Sequence, residues 1–321
     1  MEKLKKKTLI YLRALRLKTR RVLRFVVLPG FEGVPIYDVL VFFIKGLFNG
    51  YLAERAAAIS FHFFLALFPL VLFIFTLIPY IPINDFQETL FALIEELLPP
   101  QTFDLVQQTI YEIINQQNTG LLSLSFIMTF FFSTSGIVAI MDGFSRGYHE
   151  INTISWVKQR IEAIGLLSIL AVLLILVIAL MTMGGYAIRI LSADGIIHSA
   201  LVVQLLQIVR WISIVIFMMS ITAILYHYGT HEKKRFHLFS PGSILATALF
   251  IIGSFGFNFY ITNFSRYNAL YGSISTLLII LLAIYINSII LLIGFELNVS
   301  IGQARKQSKN QEINILKERI K

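Results

Sequence analysis

The sequence predicts an all-α fold, a polytopic membrane protein of six transmembrane helices with interfacial and extracytoplasmic amphipathic helices. Two observations carry this prediction. Of the 321 residues 57% are hydrophobic and 14% charged, with a mean hydropathy of +0.77, whereas soluble domains hold about 25% charged residues. The apolar residues also gather in long blocks, and a hydrocarbon core of about 30 Å takes about 20 such residues to cross. An ordinary cytosolic enzyme is excluded. The chain has no cysteine, so a disulfide framework, a thiol nucleophile and a cysteine metal site are excluded too.

Residues 1–35 read as a basic cytoplasmic N-terminal arm. Lys3, Lys5, Lys6, Lys7, Arg20, Arg21 and Arg24 belong to it. No apolar h-region or small-residue cleavage site follows, so it is not a signal peptide. Phosphate attraction alone could hold RNA there, but few aromatics interleave and a membrane helix comes next. Anionic lipid, at about 1 kcal/mol per Lys or Arg near the surface, is the expected partner, and nucleic acid is not.

Residues 36–300 form the six-span membrane domain. It opens on an amphipathic helix over 36–54, with Ile36, Leu40, Ile44, Leu47 and Tyr51 on one face; it should lie in the interface. Spans are placed near 56–81, 121–141, 161–188, 204–228, 241–264 and 272–299. All but three of the 27 Lys and Arg then fall on one side, the exceptions being Arg189, Arg210 and Arg266. The positive-inside rule therefore puts both termini in the cytoplasm. The outer loop 82–120 holds no Lys or Arg and reads as two short amphipathic helices broken at Pro99-Pro100. Residues 301–321 form a basic cytoplasmic tail, expected to be poorly ordered.

Polar groups within spans are costly, about 2.5–3.5 kcal/mol for a charge at the helix centre, so each needs a partner or a role. Tyr285 and Glu296 share one face of the sixth span; Asn287, Gly294 and Asn298 share nearly the opposite one, which predicts a helix inside the bundle. Arg55 and Arg146 lie within reach of Glu296. A structural ion pair, a proton or substrate site, or a solvated carboxylate fits that arrangement. Ser135, Ala139, Asp142 and Arg146 follow one face of the second span, small residues first. His62 and Pro69 interrupt the first span and Asn258 the fifth. His227 and His231 have i,i+4 spacing, but in a Lys-rich turn that disfavours a cation. No metal site, cofactor or catalytic residue is expected, since no Walker A loop, dinucleotide turn, nucleophile elbow or His-Glu-x-x-His motif occurs.

Three blocks resemble the YihY/BrkB family of bacterial inner-membrane proteins, formerly labelled ribonuclease BN-like. The first runs from Ala56-Ala57-Ala58-Ile59-Ser60-Phe61 to Leu67-Phe68-Pro69-Leu70. The second is Ser240-Pro241-Gly242 with Tyr260 and an outer-end motif of Asn263, Tyr267, Tyr271 and Gly272. The third is Tyr285 running into Gly294-Phe295-Glu296-Leu297-Asn298. Ile284 departs from the pattern, since relatives often carry Trp there. The resemblance implies a multi-pass protein of the inner membrane with an envelope role.

Three functions remain open. A transporter or lipid-translocating protein fits polar groups on interior helix faces. A non-transporting scaffold would dock envelope protein partners on the acidic outer helices. An RNA-processing enzyme would need metal-binding residues that the sequence lacks.

Overall fold

The computed structural model describes residues 26–81, 87, 88, 91, 100–147, 155–193, 200–230, 239–263 and 273–320. Among these the only regular structure is helical. The short helix α1 (Ile36–Asn49) precedes α2 (Leu52–Leu77), which tightens into a 3-10 turn over Ile78–Tyr80. The second outer helix of the 82–120 loop is α3 (Pro100–Asn115); most of the first lies outside the described residues. Then come α4 (Thr119–Gly147), α5 (Trp156–Ala193), α6 (Ala200–Tyr228), α7 (Pro241–Asn263) and α8 (Ser273–Ile320). Helices α2 and α4 to α8 are the six that are long and apolar enough to cross a membrane.

The six close into a ring: α2 packs on α4, α4 on α5, α5 on α6, α6 on α7, α7 on α8, and α8 back on α2. Large apolar side chains such as Phe68, Ile127, Ile175, Val209 and Phe255 remain exposed along the spans. In a bilayer that is the lipid-facing surface, where hydrocarbon replaces water. The main core gathers at one end of the ring, from Ala56, Ile59, Met141, Phe144, Leu292 and Phe295. Phe144 of α4 stacks on Phe295 of α8 with centroids 4.1 Å apart, and Tyr226 of α6 meets both rings edge-on or tilted. This aromatic cluster fills the ring where three helices converge.

Glycines set the closest approaches. A methyl group at Gly294 of α8 would meet the Gly242 carbonyl at 2.6 Å and Ala246 Cβ at 2.7 Å. Contact that close needs small residues on both helices. Tyr226 donates its hydroxyl to the Leu291 carbonyl at 2.7 Å, tying α6 to the same turn. At the opposite end of the ring, the Thr76 and Ser125 hydroxyls meet at 3.3 Å and join α2 to α4.

Two expectations need correction. The tail beyond 300 is not a loose coil: α8 runs on without a break to Ile320, 48 residues in all. Its reason is packing. Ile301 and Ala304 bury against Phe31, Val34 and Val39, so α8 beyond the span is the platform on which the 26–35 segment and α1 dock. Glu32 pairs with Arg305 across that contact. The second correction concerns α1, which ends at Asn49 rather than 54; Gly50 closes it, and Tyr51 takes a left-handed turn (φ 51°) before α2 begins. Of its expected apolar stripe Leu40, Ile44 and Tyr51 face outward, Leu47 is half-buried, and Ile36 packs on the cluster of Phe31, Val34 and Ile301. Leu40, Ile44, Phe48 and Tyr51 are exposed while Val39 packs inward, which suits a helix lying in the membrane interface.

Candidate functional site

Arg55 opens the first turn of α2 and is 2% exposed. Its Nη2 lies 3.6 Å from Glu296 Oε2 on α8, an ion pair too long for a hydrogen bond. Nη1 donates to the Gly50 carbonyl at 3.1 Å. Nε and Nη2 find no hydrogen-bond acceptor among the described residues. Helix α1 makes room for the pair through two glycines one turn apart. A methyl group at Gly46 would land on the Glu296 carboxylate, and one at Gly50 would sit 3.2 Å from Arg55 Nη1. Of the two partners expected for Glu296, Arg55 is the one it meets.

On the other side of Arg55 a cleft of about 260 Å³ opens between α2, α4 and α5. Its floor is the small-residue face of α4, Ser135, Ala139, Asp142, Gly143 and Arg146, and Arg55 and His62 of α2 form one wall. Ser135 to Arg146 is three helical turns, about 16 Å at 1.5 Å per residue. This face lies nearly opposite Ile137, Met141 and Phe144, which fill the core. The cleft is therefore on the flank of the bundle, not on its axis.

Arg160 of α5 forms the far wall, a residue that span placement from sequence leaves just outside the third span. Its Nη1 donates to Thr134 Oγ1 and its Nη2 to Ser135 Oγ, both at 3.0 Å. Those hydroxyls give their own protons to the backbone carbonyls of Phe130 and Phe131, so they are left as acceptors. The guanidinium also lies over the Phe131 ring at 4.8 Å and the Trp156 ring at 5.7 Å. No carboxylate of the described residues lies within ion-pair distance of it. Asp142 is engaged elsewhere, accepting from Gln159 Nε2 at 2.6 Å. The signal available in sequence was the pairing of Thr134-Ser135 with a cation at the threshold of the third span.

The other candidates fall into separate places. Asn298 is a cap: its Oδ1 accepts from Gly242 N at 2.8 Å and its Nδ2 donates to Ser240 Oγ at 3.1 Å, satisfying the first turn of α7 from α8. Tyr285 packs half-buried on the main core. Asn287 and Asn258 are exposed on the flanks of α8 and α7, so the sixth span is less enclosed than its two polar faces predicted. Asn263 ends α7, while Tyr267, Tyr271 and Gly272 lie outside the described residues, as do His231, Glu232 and His237. Among the described residues no three His, Asp or Glu gather as metal ligands.

The family model described as Virulence factor BrkB matches residues 45–315. The chain is 28% identical over 268 residues to the ribonuclease-like protein YfkH of Bacillus subtilis (strain 168), covering 82% of this chain and 96% of that one. It is 32% identical over 89 residues to a UPF0761 membrane protein of Vibrio atlanticus (strain LGP32), 28% of each chain. A UPF0761 membrane protein of Alteromonas mediterranea is 36% identical over 87 residues, 27% of this chain and 30% of the relative. No solved structure matches.

Proposed function

The chain belongs to the virulence factor BrkB family, and from that premise we propose that it is a transporter or lipid-translocating protein of the bacterial inner membrane. The observation that carries the proposal is the flank cleft. A membrane protein that keeps Arg55, Arg146, Arg160, His62 and Asp142 around one cavity bears a cost of several kcal/mol per unpaired charge unless a polar guest enters. Packing alone would be served by apolar residues. The charge bias of the loops supports cytoplasmic termini, and with that orientation the cleft, the aromatic cluster and the Arg55–Glu296 pair would belong to the cytoplasmic half. The role is read as non-catalytic, with the basic arm of residues 1–35 resting on anionic lipid.

Reconstitution tests the reading. Protein in liposomes should accelerate transbilayer movement of at least one member of a panel of phospholipids and small anionic solutes. Protein-free rates across the whole panel would count against transport and leave the scaffold alternative. The ribonuclease-like name belongs to the Bacillus relative; hydrolysis of RNA by the purified chain, abolished by a chelator, would bring that activity to this one.

A further inference from the structure

We propose that the flank cleft is a binding site for a phosphate group, held between Arg55, Arg146 and Arg160. The inference deepens the transport reading by naming the chemistry of the guest, and rests on it for its purpose. Three features point to an anion. Arg55 is almost wholly buried, turns Nη2 to Glu296 at 3.6 Å and leaves Nε without an acceptor among the described residues, and a buried donor left unmade is costly. Arg160 commits one N–H to each of two hydroxyls, and a guanidinium carries five. Among the described residues its charge is met by neutral oxygens and ring faces. Arg146 stands exposed near the C-terminal end of α4, at one end of the cleft.

The carboxylates nearby offset this only in part. Glu296 pairs with Arg55 from the α1 side and Asp142 lines the cleft while accepting from Gln159, so Arg55, Arg146 and Arg160 outnumber the two carboxylates and the cleft keeps a net positive charge. A cation would meet three guanidinium groups against the single carboxylate of Asp142. A tetrahedral, multiply charged oxyanion suits them, because arginine forks bind phosphate oxygens in pairs. The size agrees: about 260 Å³ takes a phosphate with part of an attached headgroup. The cleft opens on the flank of the bundle, and Phe61, Phe131 and Trp156 beside it are exposed. A lipid could therefore seat its phosphate among the arginines with its chains still in the bilayer. A free phosphate could enter from the membrane edge.

The test is the melting temperature of the purified full chain in a neutral detergent, at constant ionic strength balanced with chloride. Three probes are titrated: inorganic phosphate, short-chain phosphatidylglycerol, and a short-chain diacylglycerol without phosphate. The expected result is a saturable rise of several degrees with phosphatidylglycerol and none with diacylglycerol. A parallel rise with inorganic phosphate assigns the site to the free ion as well; its absence assigns it to the lipid headgroup. Arg160→Gln should abolish the rise, and Arg160→Lys should restore part of it. Should Arg160→Gln fail to fold, Arg146→Gln, at an exposed position, should raise the half-saturating concentration about tenfold. Equal responses in wild type and variants, or equal responses to phosphatidylglycerol and diacylglycerol, overturn the proposal. Phosphate binding without flux in liposomes removes the transport reading and keeps the site. Flux without any phosphate response does the reverse.

Discussion

Arg55 and Glu296 face one another at 3.6 Å with their side chains 1% and 5% exposed, and so hold the start of α2 to α8. Removing one partner of a buried pair strands the other charge at a cost of about 3–5 kcal/mol. Glu296→Gln should therefore lower the melting temperature of the detergent-solubilised protein sharply, and Arg55→Gln likewise. The double variant should recover part of the loss. If Glu296→Gln melts like wild type but abolishes function, the carboxylate serves transport directly and the structural reading fails.

Gly46→Ala should also destabilise, though less than losing the pair, because the added methyl falls on the Glu296 carboxylate. Overpacking of this kind costs about 1–3 kcal/mol. Gly165→Ala is the control: nothing lies within 4 Å of its would-be Cβ, and alanine is the better helix former by about 1 kcal/mol. Folded yield by size-exclusion chromatography should fall for the first and hold or rise for the second. Equal yields would mean that α1 is not packed against Glu296.

Asn298→Ala should destabilise by about 1–2 kcal/mol, the usual worth of a helix cap, since Asn298 holds Gly242 N and Ser240 Oγ. Asn298→Asp keeps the acceptor for Gly242 and loses the donor to Ser240, so its loss should be smaller. Thermal melts that rank the two variants the other way would argue against the cap.

Tyr226→Phe should cost about 1 kcal/mol, the net value of its bond to the Leu291 carbonyl. Gly294→Ala should cost more, and Tyr226→Phe should not rescue it. The Gly242 carbonyl and Ala246 block the same methyl group. Rescue in the double variant would show that the tyrosine hydroxyl alone sets the helix spacing.

Topology is testable with single cysteines, as the chain has none of its own. Gln107 and Ser308 are both exposed. A membrane-impermeant maleimide applied to intact cells should label Gln107→Cys and spare Ser308→Cys until the membrane is broken. The opposite pattern would invert the orientation and place the phosphate cleft on the outer side.

Much of the fold was legible because hydrocarbon imposes one strong rule. A span must be long, apolar and helical, and sequence shows all three. The Arg55–Glu296 pair was also within reach, since two buried opposite charges on neighbouring spans seek each other. Arg160 was not legible. It stands just before the apolar block placed near 161–188, and hydropathy does not show that the helix begins at Trp156 and carries the guanidinium over α4. The helical tail was missed for a related reason. Its polar residues say nothing about Ile301 and Ala304 packing under Phe31 and Val34, a contact between segments far apart in sequence. Asn258 and Asn287 misled differently, because periodicity orients residues around a helix without saying which side the neighbours occupy.

The unbroken course of α8 gives the bundle a lever arm. From Glu296 to Ile320 the helix extends about 36 Å at 1.5 Å per residue, and α1 rides on the part just past Glu296. A tilt of about 10° at Glu296 would sweep the far end through roughly 6 Å by that geometry. The displacement at the buried pair itself would stay below the length of a hydrogen bond. The same rod therefore joins a small motion beside the arginine cleft to a large one outside the membrane.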